Sequence, residues 1–166
     1  AFQPNRLLEV TPKFFKKLIR YLRKSGADLV SLDEVHRRLT EQDFKRRFVA
    51  LTFDDAYRDL ARFAYPVMKE YGVPFTLFIP TSFPDHLGEL WWLGLEAVIA
   101  RNKRIGLVIR GEDRRFDCAT VTEKREVFDA IYWWLRSLKT EDEMRRVVRD
   151  LCARYHVDLK TFCSDL

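Results

Sequence analysis

Two short apolar runs, Phe48-Val-Ala-Leu-Thr-Phe53 and Phe75-Thr-Leu-Phe-Ile79, flank a stretch with helical periodicity. Each run is a nearly unbroken series of β-favouring residues, the pattern of a strand buried on both faces. Between them, Tyr57 to Tyr71 places Leu60, Phe63, Ala64, Val67 and Met68 on one side of a helix, and Gly72 supplies its stop. Strand, helix and strand at this spacing predict a βαβ unit, hence parallel pairing with a right-handed crossover. Two elements precede it. Thr11-Pro12 opens a helix that ends at Gly26, with Thr11 as N-cap and Pro12 as its first residue. Leu29-Val30 is extended, and Ser31-x-x-Glu34 reads as a capping box for a small helix through Leu39.

Beyond about Phe83 the pattern changes. Leu90 to Ala100 reads as a short helix carrying Trp91 and Trp92, and Ile105–Arg110 with Arg114–Asp117 reads as a β-hairpin around Gly111-Glu-Asp113. Thr122 is expected to cap a helix through about Lys139, and Thr140-x-x-Glu143 to open another that runs to Tyr155. The expected organisation is α/β: residues 1–82 as parallel strands and helices, and 83–166 as a mostly helical insertion with a hairpin.

Composition narrows the function classes. Thirty basic and 25 acidic residues leave a net charge of +5, spread along the chain and not gathered into a basic arm. Arg145-Arg146-Arg149 reads as a solvated helix face, and no groove-reading motif supports nucleic acid as a partner. No apolar run approaches the roughly 18 residues of a membrane span. Cys118, Cys152 and Cys163 form no C-x-x-C pair, which argues against a disulfide framework or zinc ribbon and leans toward a reducing compartment. The absence of Met at position 1, and an end at Leu166 within ordinary sequence, suggest a truncated chain.

The residues that stand out chemically are Asp54 and Asp55, directly after the first apolar strand. Charged groups are costly at the end of a buried strand unless something positive meets them, and the C-terminal ends of parallel strands are where α/β sites are built. If the segment stays extended the two side chains diverge. One then suits a metal and the other a free base, unless one simply caps the next helix.

At these residues the chain resembles the NodB-homology polysaccharide deacetylases, carbohydrate esterase family 4. Phe48-Val-Ala-Leu-Thr-Phe-Asp-Asp-Ala-Tyr57 is similar to the family's first motif, Gly72-Val-Pro-Phe-Thr-Leu-Phe-Ile79 to its second core strand, and Thr11–Leu32 to the segment that precedes the motif. The resemblance covers about residues 5–82. It implies part of a distorted (β/α) barrel that hydrolyses acetamide groups of an N-acetylated glycan or lipid-linked sugar, using a divalent metal, typically zinc, held by one Asp and two His. Asp54 would then be the general base and Asp55 the metal ligand. The chain departs from the pattern at Ala56, where the family has Gly, a change expected to be tolerable if the backbone there is helical. It also lacks the paired H-x-x-x-H, which the expected truncation would place beyond Leu166; the alternative is a catalytically dead, carbohydrate-binding homologue. His36 and His156 read as surface residues and His86 as a polar-loop histidine near the expected site. In Trp91-Trp92 and Trp133-Trp134 one indole of each pair is expected in a core, the other packing or facing a glycan. A partial barrel would leave sheet edges open, and either the helical insertion is expected to cover an edge or two copies to associate through them.

Overall fold

The computed structural model describes residues 1–85 and 87–163. The described chain forms two units: Val10–Gly88, and Ala1–Glu9 together with residues 89–163.

In the first unit, helix α1 (Pro12–Lys24) is opened by the Thr11 hydroxyl, which accepts from the Phe14 N–H at 3.2 Å. Phe15 and Ile19 point into the core, and Gly26 turns the chain at φ 76°. Strand β1 (Asp28–Val30) leads to α2 (Leu32–Thr40), then β2 (Phe48–Asp54), α3 (Tyr65–Tyr71) and β3 (Phe75–Phe78). The three strands are parallel in the order β1-β2-β3, with Val30 opposite Ala50 and Asp54 opposite Phe78. The α/β class and the parallel pairing are therefore as expected.

Three details differ. Ser31 does cap α2 by accepting from the Glu34 N–H, but the Glu34 carboxylate does not turn back to close a box. It is held by the guanidinium groups of Arg37 and Arg38 at 2.7–2.8 Å, a charge-assisted alternative that outweighs a neutral cap contact. The helix between β2 and β3 is also uneven: it starts at Arg58, widens into a π-helical turn over Leu60–Ala64, and only then becomes α3. Pro66 sits in the first turn of α3, where it has no N–H to give and would crowd a regular helix, so the wider turn ahead of it relieves the clash. That shift leaves Phe63 45% exposed instead of facing the core.

The third difference concerns β2, expected to be buried on both faces. Leu51, Phe53 and Phe75 pack with Phe15, Ile19, Val67 and Met68, and Phe53 meets Phe15 and Phe75 edge-on at 5.8 and 6.1 Å. On the opposite face Phe48 lies beneath the Arg38 guanidinium, but Thr52, Asp54 and Phe78 are exposed. The apolar run is long enough for two covering layers, and the described residues of this unit pack against only one face, leaving Leu51 and Phe53 half-buried.

The second unit is built on α4 (Trp91–Arg101), the hairpin β4 (Arg104–Ile109) and β5 (Glu112–Asp117), α5 (Val121–Arg136) and α6 (Glu141–Arg154). Alternate residues Ile105, Leu107 and Ile109 of β4 join Leu95, Val98, Ile99, Phe128, Ile131, Leu135, Val148 and Leu151 in one core. The hairpin loop is Arg110-Gly111, at φ 54° and 83°, and not the expected Gly111-Glu-Asp113. Two successive left-handed residues give the tight turn whose twist matches the strands. The cap of α5 is Thr120, two residues before the expected Thr122. Its hydroxyl accepts from the Glu123 N–H while Glu123 accepts from the Thr120 and Ala119 N–H groups, so Thr120-x-x-Glu123 is the reciprocal pair. Lys124 then reaches the last carbonyls of α4, at Ile99, Ala100 and Asn102, where a cation suits the helix end.

Ala1–Glu9 groups with this second unit, not with the sheet in which a division at residue 82 places it. Phe2 packs edge-on against Phe128 at 6.2 Å, and the Asn5 amide donates to Glu96 at 2.6 Å. Trp91 is buried and stacks on Tyr132 at 5.1 Å; Trp92 and Trp134 pack at the core margin, and Trp133 is 66% exposed. Cys118 and Cys152 are buried free thiols, and burial pushes Cys152 up to about 11, so both are inert packing groups.

Candidate functional site

The carboxylate pair stands where β2 ends. Asp54 is the last strand residue and is exposed; Asp55 is half-buried and has already left the strand. The Asp55 N–H donates to the Phe78 carbonyl at 2.9 Å, tying it to the end of β3. The next N–H, of Ala56, donates back to the Asp54 carbonyl at 2.9 Å, closing a three-residue turn around Asp55. Asp55 has φ 69° and Ala56 φ 56°, two adjacent non-glycine residues in the left-handed region. Each such residue costs on the order of 1–3 kcal/mol and persists only where surrounding contacts impose it. Ala56 is thus not in helical backbone, and its methyl group stands where a glycine would carry no penalty.

The turn, not strand alternation, therefore sets where the Asp55 side chain leaves the backbone. The helix-cap alternative fails on position: the helix begins at Arg58, which puts its cap at Tyr57, and the Leu60 N–H donates to the Tyr57 carbonyl at 3.0 Å. Burial raises the Asp55 carboxyl above the ordinary carboxylate range, the neighbouring Asp54 charge adds to this, and a hydrogen bond from Tyr57 opposes it. Tyr57 is the residue that reading by motif left without a role. It lies beside Asp55 and tilts against the Phe83 ring at 6.1 Å. A carboxyl that is uncomfortable as an anion is one that a cation would suit.

Among the described residues there is no group of three or more His, Cys, Asp or Glu placed to hold a metal ion. His36 is exposed on α2, and His156 is exposed just past α6 at φ 56°. His86 lies outside the described residues. The structure brings together Asp54, Asp55 and Tyr57; a metal needs more donors than these supply. No helix among the described residues is long and apolar enough to cross a membrane.

The structure thus defines a parallel α/β sheet with a strained carboxylate pair at the C-terminal end of its middle strand, and comparison with known proteins shows what this segment is similar to. Residues 41–106 match the family model for polysaccharide deacetylases. A Bacillus subtilis (strain 168) protein provisionally named polysaccharide deacetylase YxkH is 38% identical over 74 residues, 43% of this chain and 26% of that protein. The poly-beta-1,6-N-acetyl-D-glucosamine N-deacetylase of Staphylococcus epidermidis is 33% identical over 80 residues, 48% of this chain and 27% of the relative. The protein of the same name from Staphylococcus aureus (strain MSSA476) is 32% identical over the same length. No solved structure matches. The segment that carries Asp54 and Asp55 is similar to the polysaccharide deacetylase family. The match spans about a quarter of the length of these relatives.

Proposed function

We propose that the chain contributes the first part of a carbohydrate N-deacetylase site, in which Val10–Gly88 is a portion of a distorted (β/α) barrel. The observation that carries this reading is the coincidence of the family match over 41–106 with the Asp54–Asp55 turn at the sheet end. The substrate would be an N-acetylated glycan or lipid-linked sugar, and the names of the relatives favour a β-1,6-linked N-acetylglucosamine polymer.

Asp54, exposed at the last position of β2, is the general base. It takes a proton from the water that attacks the acetyl carbonyl, and as the C–N bond breaks that proton passes to the leaving nitrogen, releasing acetate and an amine. Asp55 offers its carboxylate to a divalent metal, zinc, which would polarise that carbonyl. One carboxylate does not make a tight zinc site, and the described residues do not complete one. The remaining donors are proposed to be histidines in the part of the deacetylase pattern that the match does not cover. The absence of a completed donor set among the described residues also favours a second reading, a glycan-binding homologue without catalysis.

Zinc retention by the 166-residue chain, with Asp55→Ala as control, tests the donor accounting. Negligible retention is expected. Tight binding of one zinc that Asp55→Ala abolishes would show a complete site within this chain and overturn it. Edge strands β1 and β3 offer unpaired backbone to a second copy. Sedimentation of the chain at rising concentration is expected to show dimers, and a monomer throughout would contradict this.

A further inference from the structure

A second candidate site lies in the other unit, far in sequence from Asp54. The hairpin tip and α5 border an open cleft of about 280 Å³, lined by the apolar Ile109, Phe116 and Ile131, by Trp134, and by Arg110 and Arg114. The strand register explains the arrangement. Arg114 pairs opposite Leu107 and Phe116 opposite Ile105, so Arg114 sits on the core-side face of β5, where an apolar residue would be the ordinary choice. Arg110 is the first residue of the Arg110-Gly111 turn, whose left-handed backbone fixes where its side chain leaves the chain.

Neither guanidinium is neutralised by a strong partner. Arg114 has a 3.3 Å contact with Glu112, with both side chains largely exposed, a pairing of little worth in water. Arg110 has no ion pair or hydrogen bond among the described residues. Two cations thus line the cleft together with apolar and aromatic side chains.

We propose that this cleft binds an anionic sugar residue, its ring against Trp134 and its carboxylate or phosphate in the fork of Arg110 and Arg114. The volume sits at the small end of ligand sites, roughly 300–1,000 Å³, which suits one ring and not an extended chain. Indole faces accept the apolar side of a ring, and paired guanidinium groups match planar or tetrahedral oxyanions through bidentate contacts. The preference for a sugar over another ringed anion rests on the deacetylase reading; recognition of an anion on a ring does not.

Isothermal titration of the chain with glucuronate, glucose 6-phosphate, glucose and inorganic phosphate tests the proposal. At least one of the two anionic sugars is expected to bind about tenfold or more tightly than glucose and phosphate, and which one does so assigns the oxyanion. Arg110→Ala/Arg114→Ala is expected to weaken that binding about tenfold or more with an unchanged far-UV spectrum. No binding of either anionic sugar, equal binding of glucose, or full binding by the double variant would overturn the site. Asp54→Asn/Asp55→Asn is expected to bind as well as the wild type, so loss of hydrolysis and loss of this binding are separable results.

Discussion

The two units are of similar length and are packed very differently. The helical unit buries seventeen apolar or thiol side chains in one cluster, whereas the sheet unit buries five. The sheet unit also leaves Phe14, Tyr21, Phe44, Phe63, Tyr65, Phe78 and Ile79 exposed, whereas Trp133 is the one exposed aromatic of the helical unit's exposed large apolar residues. The helical unit closes its own core, whereas the described residues of the sheet unit leave one strand face exposed. The carboxylate pair sits on the open unit and the Arg-lined cleft on the closed one. As proposed above, the first would draw further donors from elsewhere, while the second would draw on one unit alone.

The sharpest way to break this comparison is to cut each core. Ile131→Ala is expected to destabilise the helical unit by about 2–5 kcal/mol, because Ile131 is fully buried and its neighbours cannot collapse around the gap. Hydrogen exchange should show that loss in α4–α6, which in the wild type are expected to outlast β1–β3. Equal wild-type protection of the two units would remove the contrast. A smaller effect is expected at the site turn. Ala56→Gly relieves a left-handed alanine but gives the unfolded chain more freedom, and should stabilise the sheet unit by about 0.5 kcal/mol in denaturant melts. A loss of stability there would mean that the turn is not strained as described.

The smallest effect is the pH dependence of Asp55. Its folded carboxyl holds its proton to higher pH than the ordinary 3.8. The folded state is therefore not penalised below the unfolded value; it loses stability as pH rises from there through the raised value, and the penalty is complete above it. Asp55→Asn should flatten that fall, and melts at pH 3–7 that superimpose for the two proteins would contradict it.

Much of the fold was legible because its signals are local. Thr11 and Pro12, Gly72, and the two apolar runs each determine one element almost alone. The misreadings arose where a second interaction competed. Glu34 was read as a cap partner, but two arginines one helical turn away claim it. Thr122 and Thr120 are both plausible caps by residue type, and the position of Glu123 three residues after Thr120 decides between them. The site was legible in kind but not in shape. Asp54-Asp55 marks the place, yet the turn through Asp55 and Ala56 depends on the carbonyl of Phe78, 23 residues later, which no local pattern records. The condition under which Ala56 would be tolerable, a helical backbone, is not met for that reason. Phe63 was placed in a core by its spacing, and Pro66 displaced it through the π-helical turn.

The most direct test of the account is acetate release from β-1,6-linked N-acetylglucosamine oligomers by the protein in its natural full length, comparing the wild type with Asp54→Asn. Removal of the general base is expected to lower the rate by about a hundredfold or more with an unchanged melting curve. A rate within threefold of the wild type would show that Asp54 is not the base.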